Sequence, residues 1–292
     1  MKCLVTIILV LLSLSPTLCI AQQNFEYVGF IKLNDSSLIS LSLNLEEHKG
    51  KIKGFTHTDV GGEHETKTSI VGTYNHDKKI LKFQEVETIY TKSYVSENDF
   101  CYINFTSKSY KLGKTSKLKG TFKGLFSDKT VCINGEISLS TKEKQLKKIE
   151  KVQKFIKKTK RISDNEKENI DLIKIMDTVQ MNVLKQKQVM SVFAKNKDIR
   201  IEIYDGGQID GDKITLTYNN KTILRNFETK KERKIIPIIL SNKKNIFILT
   251  ADNVGSMSSN TAVIEIFVDG SKIRALTNLK ASESTQIDFY LK

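Results

Sequence analysis

Residues 205–212 read DGGQIDGD, three aspartates and three glycines in eight positions, set between the strand-like runs IRIEIY and KITLTY. Calcium takes roughly six to eight oxygen ligands, and a glycine-bent loop with closely spaced carboxylates is how a short peptide delivers several of them. Asp205, Asp210 and Asp212 are therefore candidate calcium ligands, with loop carbonyls completing the shell. The spacing departs from the helical calcium hand, which needs acids at its first, third and fifth positions and a glutamate at its twelfth. The same residues also make a turn without metal. Gly206, Gly207 and Gly211 admit positive φ, while Asp210 and Asp212 can cap their own turns through bonds to backbone N–H groups.

Other chemistry is sparse. HTDVGGEHE, residues 57–65, holds His57, Asp59, Glu63, His64 and Glu65 around a Gly-Gly turn. On the two arms of a hairpin the histidines could share a metal, although polar residues beside a hairpin tip are ordinary. No H-E-x-x-H or G-x-S-x-G occurs, and GKTS at 113–116 lacks the upstream glycine of a phosphate loop. All four histidines lie at or before residue 76, so no Ser-His or Cys-His pair can be named. The expectation is a protein that is not an enzyme.

The first residues, MKCLVTIILVLLSLSPTLCIAQQ, have one lysine, an apolar run and a C-I-A tripeptide ending at Ala21. That pattern predicts a cleaved secretory signal over residues 1–21, too short for a stable membrane span, with no transmembrane segment after cleavage. A lipid anchor on Cys19 would place Leu18 where a small residue is expected. The destination is the periplasm, the cell surface or the medium. Cys3 and Cys19 leave with the signal, and Cys101 and Cys132 are then expected to pair as a disulfide.

The elements that must position these residues fall into three blocks. From Phe25 to Ser140, short runs alternate with period two, as in SLISLSLNL, where Leu41, Leu43 and Leu45 share one face. Turn signals such as His48-Lys49-Gly50 and Asn75-His76-Asp77 separate about eight strands. Closing such a meander on itself removes its edges, so a small up-and-down barrel over residues 22–141 is expected, with a two-sheet sandwich as the alternative. Residues 142–197 form a basic, partly helical linker. Lys142 to Arg161 holds ten basic residues and two acids, within a chain of net charge +14. Leu146, Ile149, Val152, Phe155 and Ile156 recur there at helical spacing. A second helix is expected over about Glu166–Asp177, and DTVQMNVLKQKQVMSVF beyond it is ambiguous between helix and strand. Lys147, Lys148, Lys151, Lys154, Lys157 and Lys158 are the candidates for an anionic surface, against the plain reading of a solvated helix. Residues 198–292 again give about eight strands, a C-terminal β-sandwich, with Pro237 marking an edge or bulged strand.

The run IRIEIYDGGQIDGDKITLTYNNKTIL and the run ILTADNVGSMSSNTAVIEI resemble the C-terminal β domain of secreted Bacteroidota proteins. The first block of that family reads close to D-N-G-x-x-D-G-D, then a strand and N-G, and the second close to A-E-N-L-G-x-x-P-P-N-T-A. Asp205, Gly207, Asp210, Gly211, Asp212 and Asn219 match the first; Ala251, Asn253, Gly255, Asn260, Thr261 and Ala262 match the second. Gly206, Asn220 and Ser258-Ser259 depart from it. The resemblance covers about a third of the chain. It implies export and a β-sandwich, without an activity, and Asp177-Thr178-Val179 fits the short O-glycosylation pattern of those bacteria. More loosely, the layout is similar to calcium-dependent carbohydrate-binding modules of jelly-roll type.

These readings converge on an exported, all-β, two-domain protein that binds or scaffolds without catalysis. Calcium is the one candidate cofactor. A cell-surface glycan or another envelope protein is the candidate partner, and nucleic acid is not expected. The alternatives are a calcium-assisted glycan-binding module and a carrier holding a small apolar ligand in the N-terminal barrel, although no tryptophan, and so no lipocalin G-x-W, is present.

Overall fold

The structure, a computed structural model, describes residues 23–34, 37–94, 99–159, 181–207, 209–256 and 259–292. The expected signal, the second linker helix and the Asp177-Thr178-Val179 tripeptide lie outside them.

The N-terminal strands are β1 (Gln23–Leu33), β2 (Leu38–His48), β3 (Lys51–Thr58), β4 (Thr66–Asn75), β5 (Ile80–Thr91), β6 (Tyr102–Ser107), β7 (Lys117–Leu125) and β8 (Val131–Thr141). Each pairs antiparallel with the next, and β1 pairs with β8 from Tyr27↔Thr141 to Leu33↔Gly135, which closes an up-and-down barrel. The alternation seen in the sequence has its physical cause here: Leu41, Leu43 and Leu45 of β2 are buried inside, while Ser40, Ser42 and Asn44 face outward. Tyr27, Leu81, Phe83, Phe105, Tyr110, Leu118 and Phe122 fill the same interior, and the Tyr27 and Tyr110 hydroxyls meet at 2.5 Å. Large side chains therefore occupy the space that a carried ligand would need.

Cys101 and Cys132 form the expected disulfide, with Cα atoms 6.0 Å apart. It joins the chain just before β6 to β8 and passes over Gly124 of the intervening β7. A Cβ on Gly124 would lie 2.5 Å from the Cys101 sulfur and 3.0 Å from that of Cys132, so the glycine makes room for the bridge.

Helix α1 (Lys142–Lys158) follows β8 directly, in the stretch read as basic and helical. None of its residues is buried; Lys142 reaches Glu26 at 3.0 Å and Lys144 donates to the Ser116 hydroxyl.

The C-terminal unit comprises β9 (Val183–Leu184), β10 (Val189–Ala194), β11 (Asp198–Asp205), β12 (Lys213–Tyr218), β13 (Lys221–Glu228), β14 (Lys234–Ile239), β15 (Lys244–Ala251), β16 (Ala262–Val268), β17 (Ser271–Thr277) and β18 (Ser284–Leu291). Its strands thus begin before Asp198, because the segment ambiguous in sequence supplies β9 and β10. Met190 and Val192 are fully buried in the C-terminal core. One layer runs β14-β11-β16-β17-β9 and the other β13-β12-β15-β18-β10, with a single apolar core between them. Pro237 lies on β14, an edge strand, where a missing N–H costs no ladder bond.

The two units are joined by hydrogen bonding rather than by the linker alone. The end of β5 pairs with β10 through Thr91↔Ser191 and Tyr90↔Val192, so the sheet of the barrel continues into a layer of the sandwich. Tyr90, a barrel-strand residue, is a member of the sandwich core. Phe100 packs edge-on against Phe193 with ring centroids 5.7 Å apart, and Glu87 receives Lys195 at 2.7 Å and Lys292 at 3.2 Å.

Candidate calcium site

Strand β11 ends in Asp205, whose alternating neighbours Ile201 and Ile203 point into the core, so the loop that follows is anchored at the sandwich rim. Asp205 and Asp212 are almost wholly buried, at 2% and 1% exposure, which is unusual for carboxylates. Asp205 Oδ1 accepts from the Gly207 N–H at 2.7 Å, a turn-capping bond made by Asp205, whereas the sequence points to Asp210 and Asp212 for that role. Asp212 Oδ2 accepts from the Thr261 N–H at 2.8 Å. The second oxygens, Asp205 Oδ2 and Asp212 Oδ1, are buried with no hydrogen-bond partner, as is Asn260 Oδ1. Burial pushes the Asp212 carboxyl above its ordinary range, and the charges of Asp210 and Asp205 push it further in the same direction; the Thr261 N–H works against them.

The loop is held by the second of the two sequence blocks. The Asn253 amide donates to Gly211 O at 3.0 Å and its carbonyl accepts from Lys213 N–H at 2.6 Å. Asn260 donates to the carbonyls of Lys213 and Asn253, and Ser256 N–H donates to Asp210 O. Gly255 has φ +56°, and a Cβ there would come within 2.5 Å of Asp210 O. Only glycine combines that backbone conformation with so close an approach. The two blocks thus form one structure, in which Thr261 bonds to Asp212 directly while Asn253 and Asn260 hold the backbone around the loop.

Sequence reasoning did not single out Lys231. Its ammonium bonds to the carbonyls of Gly207 and Asp205 and lies 3.8 Å from Asp205 Oδ1. Among the described residues no group of three or more His, Cys, Asp and Glu side chains is drawn together closely enough to hold a metal ion, and Gln208 within the loop lies outside those residues. The buried oxygens of Asp205, Asp212 and Asn260 that lack a hydrogen-bond partner are nonetheless of the donor type that calcium prefers.

The remaining sequence candidates are placed as follows. His57 stacks on Phe55 with centroids 5.3 Å apart, whereas His64 turns its Nδ1 to the Ser93 hydroxyl at 3.3 Å. Asp59 and Glu65 accept backbone N–H groups of the same hairpin, so the acids there build the turn. Lys147, Lys148, Lys151, Lys154, Lys157 and Lys158 are on α1, with the half-exposed Val152 and the exposed Phe155 between them. Of the aromatic residues available for sugar stacking, Phe247 and Phe289 are fully buried. Tyr204, Phe227, Phe267 and Tyr290 each carry an arginine or lysine over the ring, as with Arg233 at 4.4 Å from Tyr204 and Arg200 at 4.1 Å from Phe267. A sugar would have to displace a cation to use those faces. No helix among the described residues is long and apolar enough to cross a membrane.

No family model matches the chain, and a search of curated proteins finds no relative.

Proposed function

We propose that this is an exported binding or scaffolding protein whose C-terminal sandwich takes up one calcium ion at Asp205, Asp210 and Asp212, with Asn260 O contributing. The observation that carries the reading is the pair of buried carboxylate oxygens, Asp205 Oδ2 and Asp212 Oδ1, that accept no hydrogen bond. Each such oxygen costs on the order of 1–3 kcal/mol or more, and a cation offsets that cost for both at once. A cation also offsets the charges of Asp210 and Asp205, which add to burial in raising Asp212. The ion takes over part of the role of the Lys231 ammonium, which is displaced from the loop. Export is supported by the N-terminal apolar segment and by the disulfide, a bond that persists in oxidising compartments. The glycan-binding and apolar-carrier alternatives find less support, given the covered aromatic rings and the filled barrel.

Calorimetric titration of calcium into the full chain from Gln22 tests the proposal. One site is expected, and a calcium concentration a hundredfold above Kd stabilises the fold by about 2.7 kcal/mol, visible as a higher melting temperature. Asp212→Asn abolishes both signals while magnesium produces neither. Absence of heat and of any melting shift at millimolar calcium refutes the metal and leaves the loop a turn.

A further inference from the structure

Where the barrel meets the sandwich there is a cleft of about 270 Å³, lined on one side by His57, Glu65, Lys67 and Tyr90 and on the other by Asn182, Lys272 and Arg274. The barrel side is a single cross-strand row, because His57 of β3 pairs with Lys67 of β4, and Lys67 with Tyr90 of β5. The opposite wall is the outer face of β17 and the residues leading into β9.

Lys67 is 8% exposed, yet its ammonium finds no carboxylate within ion-pair distance among the described residues and rests 4.0 Å above the Phe55 ring. The nearby carboxylate, Glu65, is committed elsewhere: to the Tyr90 hydroxyl, to the Gly61 N–H at 2.9 Å and to Lys92 at 3.5 Å. Across the cleft, Lys272 at 2.8 Å and Arg274 at 3.9 Å share Glu265 with Arg233. Cations therefore outnumber carboxylates around this space. Two polar atoms of its lining are also buried without a partner, His57 Nε2 and Asn182 Oδ1, the latter on a side chain 7% exposed. Burial, with Lys67 adding to it, pushes the His57 imidazole down to about 3, so it is neutral and offers one ring N–H or one lone pair.

A lysine ammonium with no ion-pair partner among the described residues, and two buried polar atoms without partners on the same small space, make a site that a guest would complete. We propose that this junction cleft binds a small organic or inorganic anion, a carboxylate or phosphate group seated between Lys67, Lys272 and Arg274. His57 and Asn182 then meet hydroxyls or oxygens on the rest of the molecule. The volume is at the small end for ligand pockets, which limits the guest to about the size of a monosaccharide acid or a phosphate ester. Both walls are needed, so occupancy couples the barrel to the sandwich. This site is independent of the calcium loop.

The test titrates inorganic phosphate, glucuronate and glucose separately into the full chain from Gln22, at pH 6.5 and constant ionic strength, by calorimetry and by chemical shifts of the Lys67 and His57 side chains. Phosphate, glucuronate or both are expected to bind at one site and glucose not at all; which anion binds assigns the guest to phosphates or to sugar acids. Lys67→Met and Arg274→Ala are each expected to weaken binding at least tenfold without changing calcium uptake. Arg274 is on the surface, so its variant reports even if Lys67→Met perturbs the fold. The proposal is overturned if neither anion binds, if glucose binds equally, or if folded Lys67→Met or Arg274→Ala binds like the parent.

Discussion

Replacing Glu85 by glutamine should make the protein more stable at pH 8 and leave it nearly unchanged at pH 4.5. Glu85 lies on β5 at the inward position that follows Leu81 and Phe83, 7% exposed inside the barrel. One carboxylate oxygen accepts from the Thr56 hydroxyl and the other from the Ile103 N–H at 2.7 Å. Burial pushes this carboxyl up to about 7 from 4.5, and the bonds from Thr56 and Ile103 only partly hold it down. Because the folded pKa is raised, the proton-linked stability is fully present below about pH 4.5 and is lost as pH rises through 7. A shift of that size corresponds to about 3 kcal/mol, at about 1.4 kcal/mol per pH unit. Glutamine never ionises and therefore keeps that stability at pH 8. Its oxygen still accepts from Ile103, and its amide donates to Thr56, whose hydroxyl hydrogen turns to Thr68 O, 3.4 Å away. In the parent protein the effect is masked. His57 is lowered from 6.5 to about 3, so unfolding binds a proton there while it releases one at Glu85, and these two contributions offset each other between about pH 4.5 and 6.5. The variant exposes the His57 contribution, and its stability falls as pH drops through that window. Urea denaturation followed by circular dichroism at pH 4.5, 5.5 and 8 measures both. The reasoning is refuted if Glu85→Gln runs parallel to the parent across this range, or is less stable at pH 8.

Three further variants probe the junction and the disulfide. Lys92→Met leaves Glu65 buried with the Tyr90 and Gly61 donors but without its cation, and should cost about 3 kcal/mol, the low end for breaking a buried pair, read as an earlier urea midpoint. An unchanged midpoint would mean that Lys67 replaces Lys92 as the counter-charge. Changing Cys101 and Cys132 together to serine opens a 31-residue loop and should cost about 4 kcal/mol on chain-entropy grounds. Gly124→Ala, which drives a methyl against both sulfurs and to 2.8 Å from the Ile133 carbonyl, should also destabilise, and the serine double mutant should relieve only the part due to the sulfurs.

The barrel was legible because its strands are half-buried and their alternation is strict: Leu41, Leu43 and Leu45 reveal their face without help from any other strand. Pro237 likewise marked its edge strand correctly, since a missing donor has only one tolerable place in a sheet. What stayed hidden depends on partners distant in sequence. A two-residue strand such as β9 has no period to read, and β10 follows a polar KQKQ run that breaks the pattern. Lys67, Glu65 and Lys92 look like ordinary solvent-facing charges until the sandwich covers them. Glu85 could have been found, because continuing the period from Leu81 and Phe83 points it inward. The turn at DGGQIDGD was equally plain, whereas its support from Asn253, Gly255 and Asn260 required a fold that brings two loops together.

The continuation of β5 into β10 has a consequence for how the molecule yields. Opening the barrel along β5 withdraws Tyr90 from the neighbouring core, and loosening the sandwich strips β5 of its outer ladder partner. Neither body can begin to melt without weakening the other, so the pair behaves as one cooperative block and not as two beads on a string. The junction cleft and the acidic loop consequently depend on the same block, and both are lost together when it gives way.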